Sequence, residues 1–306
     1  MSCSKSFALA GAIIVLSRGL LSAAEEEPAP GLNALPEVAF SALSQIDSNP
    51  LGSQALALHP EQWKHGETDH FIYHFVHSYV ATPISVEAEF HFRVIAAELG
   101  RETMPGTTAK SHLYIFEKPE EWQTFQTAAQ LEPWTGGIHS RGSLFILRDP
   151  ANKFANNSLG HEIAHLVVFR LYQRPLPRWL EEGLAEYVSR ITRASYQRAR
   201  NYIAHPRSPS IPRERLLPLR DLIALRDYPA STQIDVFYGE SERLVRFLAA
   251  ANREAFLALV DCVAHGESFE NALSRQYGAR FFDLADLENK FVPYASKNAK
   301  VISPPN

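Results

Sequence analysis

Ser158-Leu159-Gly160-His161-Glu162-Ile163-Ala164-His165-Leu166-Val167-Val168-Phe169 is the stretch on which the reading of this chain turns, together with Pro177-Arg178-Trp179-Leu180-Glu181-Glu182-Gly183-Leu184-Ala185-Glu186-Tyr187 downstream. Leu159, Ile163, Leu166, Val167 and Phe169 recur at helical spacing and supply an apolar stripe, and Ser158 stands where a side chain can cap the helix start. On such a helix His161 and His165 lie on one face, one turn apart, so both imidazoles reach a single cation while the Glu162 carboxylate sits beside them. HExxH by itself also arises by chance, and its histidines are then ordinary core or surface residues. A catalytic zinc requires three protein ligands and an open fourth position. The Pro177 turn lets the chain reverse into an antiparallel helix, so the third ligand is expected on the second stretch, among its carboxylates.

Upstream, the periodicity changes. His70 to Val76 (HFIYHFV), Ser111 to Glu117 (SHLYIFE) and Ser143 to Arg148 (SLFILR) are short runs of aromatic and β-branched residues and predict strands. Helices are expected between them from Ser85 to Leu99 and from Lys118 to Ala129, the latter opened by Pro119. Beyond residue 155 the strand signal fades. Helical spacing then marks Asn157 to Tyr172, Arg178 to about Arg200, Gly239 to Ala251, Glu254 to His265, Ser268 to Tyr277 and Phe282 to Tyr294. The pattern predicts an α+β fold, a small mixed sheet packed on helices.

At the N-terminus Phe7 to Leu16 is apolar, Lys5 precedes it, and Ser22-Ala23-Ala24 offers a cleavage site before Glu25, which predicts a signal peptide over residues 1–24 and an exported mature chain, periplasmic or secreted. The alternative is an uncleaved membrane anchor, against which Arg18 leaves the run short of the ~20 residues a span needs. A Pro/Ala-rich leader and lead-in follow over 25–66, then a catalytic part over 67–200, a helical C-terminal part of the same unit over 201–294, and a polar tail over 295–306. No later segment is apolar enough to span a bilayer. The net charge of −4, with no basic stripe, argues against nucleic-acid binding. Cys3 leaves with the signal and Cys262 remains alone, so any metal site is built from histidines and carboxylates.

These stretches resemble the gluzincin metallopeptidases, and most closely the bacterial secreted domains of peptidase-MA-like type, in which HExxH is followed by a Trp-Leu-x-Glu-Gly-x-Ala run. Here that run is Trp179-Leu180-Glu181-Glu182-Gly183-Leu184-Ala185. The resemblance covers residues 68–294 and is sharp over 158–187. It implies a zincin-like fold with an edge strand above the cleft, a Zn2+ ion on His161, His165 and Glu182, Glu162 as the base, and Glu186 orienting a zinc-bound histidine. Small Gly183 and Ala185 would let the two zinc helices approach. By the same resemblance Tyr238 is the donor to the oxyanion, and the strand over 143–148 takes the edge position that pairs with an extended peptide. Metzincins are set aside, since they require Gly at position 168 and His at 171, where this chain has Val168 and Leu171.

The expected activity is hydrolysis of peptide bonds in a peptide or protein substrate. Two alternatives stand beside it. One is a silent zincin fold that binds peptides or envelope partners, against which the intact Glu162 argues. The other is a purely structural zinc, disfavoured because no fourth ligand accompanies the motif. His70, His74, His77 and His139 are expected to be ordinary histidines, His139 in a surface loop.

Overall fold

A computed structural model describes residues 34–101, 109–148, 158–200 and 211–296. The expected signal peptide over 1–24, the start of the leader, and the end of the tail lie outside these residues. After a single 3-10 turn (Phe40–Ala42) come helix α1 (Pro50–Leu58), strand β1 (Lys64–Glu67) and strand β2 (Phe71–Phe75), so the segment expected as leader and lead-in already contributes to a sheet strand. Helix α2 (Ser78–Glu98) leads to β3 (Ser111–Phe116), α3 (Pro119–Ala128), β4 (Gly137–Ser140) and β5 (Ser143–Leu147).

The five strands form one mixed sheet in the order β1-β2-β3-β5-β4. β2, β3 and β5 run parallel, while β1 and β4 are antiparallel to their neighbours. The parallel centre is buried on both faces, which is why its strands read as continuous apolar runs. Period-two alternation then sorts the side chains. Phe71, Tyr73, Phe75, Leu113, Ile115, Leu144 and Ile146 face the large core under the helices, and Tyr114, Phe116 and Phe145 face a smaller core with Trp122 and Phe125 of α3 and Ala55 of α1.

The helical half comprises α4 (Leu159–Tyr172), α5 (Arg178–Ala199), α6 (Leu219–Ala224), α7 (Ile234–Ala251), α8 (Arg253–Ala264), α9 (Phe269–Tyr277) and α10 (Leu284–Ala295). α4 lies against the sheet, and α5 packs between it and α7. Trp179, fully buried, meets the edge of Phe269 at 5.1 Å and ties the first turn of α5 to α9. No helix among the described residues is long and apolar enough to cross a membrane.

Four expectations are corrected. The strand over 143–147 is interior, and the edge is β4, whose four residues (GIHS) carry no alternation. α2 begins at Ser78, seven residues before the predicted start, and runs through Pro83. Pro83 is exposed, as is Tyr79, whose carbonyl would have received the missing bond, so the lost bond falls on the solvent side while Val80, Ala81 and Ile84 enter the core. Ser158 makes no side-chain capping bond to α4. Gly183 faces α7, and a Cβ there would stand 2.5 Å from the Ser241 carbonyl oxygen, so the close approach it permits is between α5 and α7.

Candidate metal centre

α4 and α5 bring three ligand atoms to one point. His161 Nε2 and His165 Nε2 are 3.0 Å apart, and Glu182 Oε2 is 3.2 Å from the first and 3.4 Å from the second. Among the described residues these three form the one cluster of histidines, cysteines and carboxylates with spacing suited to a metal ion. Ligands at the zinc distances of about 2.0–2.1 Å in a tetrahedral arrangement lie about 3.3 Å from each other, which is the size of this triangle.

The chemistry of the donors tests the fit independently. His161 Nδ1 lies 3.3 Å from Glu186 Oε1 and His165 Nδ1 lies 3.7 Å from Glu181 Oε1, so a carboxylate stands behind each ring, although His161 Nδ1 itself is buried without a well-aligned hydrogen bond. Glu182 Oε2 is buried and accepts no hydrogen bond. Three ligand atoms this close need a proton or a metal cation among them, and the donor set fits a metal ion. Burial works against charging His161, yet Glu182 and Glu186 outweigh it and raise the imidazole to about 9; a metal ion entering here displaces that proton.

Glu162 follows His161 and turns to the sheet. Its carboxyl is raised above the usual carboxylate range, chiefly by burial, with Glu182's charge adding and His161, His165 and the His139 backbone N–H pulling the other way. That N–H comes from β4. Gly136 O accepts from Leu147 N, and this register turns the backbone groups of Gly137 and His139 away from β5. Gly137 is required for the approach, since a Cβ there would lie 2.9 Å from Glu162 Cγ. Glu186 is held down at about 2: burial opposes its charge, but the close contact and charge of His161 prevail, with Arg190 and Arg193 adding to them.

Tyr238 lies within α7, because that helix begins at Ile234 and not at Gly239; its ring centre is 6.3 Å from that of His161, at the rim of the cluster. Burial, and then the Glu182 charge, push its hydroxyl well above the ordinary tyrosine range, so it remains a donor. His139 is on β4 and not in a surface loop. It stands 5.2 Å from Phe169, receives the Gly142 N–H on Nε2, and is pushed down to about 3 by burial, then by His165 and Arg170. Beside it a cavity of about 240 Å³ opens against Phe169, Arg174 and Glu181.

Two residues here escaped the sequence reading. Glu181, passed over as a ligand, instead backs His165. Tyr228, in the irregular segment between α6 and α7, donates to Glu182 Oε1 at 2.6 Å; nothing in its local sequence, Arg226-Asp227-Tyr228-Pro229, sets it apart from a loop. His74, expected to be a satisfied or exposed histidine, is a satisfied one in the middle of a buried chain, with its Nδ1 2.8 Å from His65 Nδ1 and its Nε2 2.9 Å from His112 Nδ1. Its two nitrogens point to different partners, which precludes a shared metal ion.

No curated protein matches the chain. A family model described as the Peptidase MA superfamily matches residues 96–296, which contain α4, α5 and all three converging ligands. That match spans well over half of the sequence, and the chain belongs to the Peptidase MA superfamily.

Proposed function

We propose that this protein is a zinc-dependent peptidase of the gluzincin kind, with the metal on His161, His165 and Glu182 and with Glu162 as the general base. The observation that carries the reading is the inward-facing triangle of two Nε2 atoms and one unpartnered carboxylate oxygen beside a second buried carboxyl. The superfamily is typically zinc-dependent, although it includes inactive members.

When bound, zinc supplies a Lewis acid that activates water and polarises the scissile carbonyl. Glu162, with its affinity for a proton raised by burial, takes the proton from the water and returns it to the leaving amine. With a metal bound, Glu186 behind His161 and Glu181 behind His165 would favour the tautomers that offer Nε2 inward. Tyr238 supplies a hydroxyl donor to negative charge developing at the rim. On this reading the Gly137 backbone groups and the His139 carbonyl, which face away from β5, pair with an extended peptide or protein substrate, one of whose side chains enters the cavity at Phe169 and Arg174. Residues 1–24 support export of the mature chain.

The test is zinc content together with cleavage of a mixed peptide library, for the wild type and Glu162→Gln. About one zinc per chain in both, with turnover in the wild type alone, is the expected result. Equal turnover in both, or no zinc in either, overturns the reading; zinc in both and turnover in neither identifies a silent peptide-binding member.

A further inference from the structure

The two oxygens of Glu182 have different surroundings. Oε2 is buried and faces the two imidazoles without a hydrogen bond, while Oε1 points to the opposite side, 3.9 Å from Arg178 Nη1, and accepts the Tyr228 hydroxyl at 2.6 Å. A carboxylate can meet a cation with one oxygen or with both, and the two modes differ by a small rotation of the side chain. A phenol donor at this distance engages the second oxygen and draws charge from it, which makes Oε1 the poorer donor to a cation. Turning Oε1 towards the imidazoles would cost this hydrogen bond.

Tyr228 is itself fixed from three directions. The Arg178 guanidinium lies over its ring at 4.7 Å, one turn before Glu182 on the same helix. Trp134, from the segment leading into β4, meets the ring edge-on at 6.4 Å, and Phe237 of α7 does so at 6.0 Å. The segment carrying Tyr228 has no regular structure of its own, so these ring contacts, and not a helix or strand, set where the hydroxyl lies. Tyr238 does not share the role. Its ring centre lies 6.1 Å from that of Tyr228, and no bond joins its hydroxyl to the Glu182 carboxylate among the described residues.

We infer that Tyr228 is a positioning residue for the metal centre, holding Glu182 as a one-oxygen ligand through Oε1 so that the coordination number stays low and a position remains open for water. The inference rests on the metal reading of His161, His165 and Glu182.

The experiment compares wild type, Tyr228→Phe and Tyr238→Phe, loaded with zinc in competition with a chelator and, separately, with cobalt(II), whose visible absorption reports coordination number. Phe keeps the ring between Arg178 and Trp134, and the melting temperature of the chelator-stripped protein checks that the fold is intact. Tyr228→Phe is expected to bind one metal per chain, with zinc affinity lowered by about 10- to 100-fold and with weaker cobalt bands, as Glu182 swings to offer both oxygens. Tyr238→Phe is expected to match the wild type in both readouts. Wild-type affinity and spectrum in Tyr228→Phe overturn the inference and leave the metal centre standing, and so does an equal change in both variants. Absence of metal from the wild type overturns the metal reading and this inference with it.

Discussion

Replacing Gly183 by alanine is expected to destabilise the protein, although the same change in an exposed helix interior stabilises by about 1 kcal/mol. The new Cβ would lie 2.5 Å from the Ser241 carbonyl oxygen and 2.7 Å from its carbon, where ordinary contact begins at 3.4 Å. Both atoms are backbone of α7 and cannot swing aside, so α5 and α7 must part by nearly an ångström over a tightly packed crossing. Overpacking of this kind costs about 1–3 kcal/mol, and rigid backbone on both sides puts it at the upper end. Set against the propensity gain, the net loss is about 2 kcal/mol. Urea unfolding in the presence of a chelator, which removes stabilisation by bound metal, measures it directly. Glu182 adjoins Gly183, so zinc affinity should fall as well. A variant as stable as the wild type, or more so, would refute the argument, because the helix propensity would then have prevailed over the clash.

Gly137→Ala pushes the Glu162 side chain off its seat, so turnover is expected to drop at least tenfold with zinc content unchanged; unchanged turnover would show that the seat is unimportant. Glu186→Gln removes the charge that backs His161 and should weaken zinc binding by about 10- to 100-fold in a chelator competition. The His65–His74–His112 chain has a pH signature. Burial, followed by the neighbouring imidazoles, lowers His74 well below its ordinary value, and burial likewise lowers His65 and His112. The folded state therefore resists protons that the unfolded chain takes up below about pH 6.5, so stability is fully present above that pH and is lost as pH falls towards the lowered folded values. Urea unfolding of the metal-free protein from pH 8 to pH 5 should give a curve for His74→Phe flatter than that of the wild type by about 1.4 kcal/mol per pH unit below pH 6.5; parallel curves would contradict this.

The sequence revealed the parts of the molecule whose pattern is local. HExxH and the run from Trp179 to Glu186 place their side chains by helical spacing alone, and the structure brings His161, His165, Glu182 and Glu186 together at the site. β2, β3 and β5 were legible because a strand buried on both faces is an uninterrupted apolar run. β1 (KHGE) and β4 (GIHS) were not, since edge strands this short and polar owe their conformation to pairing with a neighbour. The first two turns of α2 were hidden by Pro83, whose cost is small on an exposed face. Tyr228 and the partner of Gly183 were beyond reach, as both depend on which segments meet after the chain has folded.

The two margins of the sheet differ in a way that bears on self-association. At β1 the Val38 N–H bonds the His65 carbonyl, so the chain's own N-terminal segment covers that margin. At β4 the outward groups are those of Gly137 and His139, and Glu162 already engages the His139 N–H. A second copy trying to extend the sheet would find a row only four residues long with one donor taken, too little to template a stacked fibre. A margin this short gives concentrated protein little purchase for growth through the sheet.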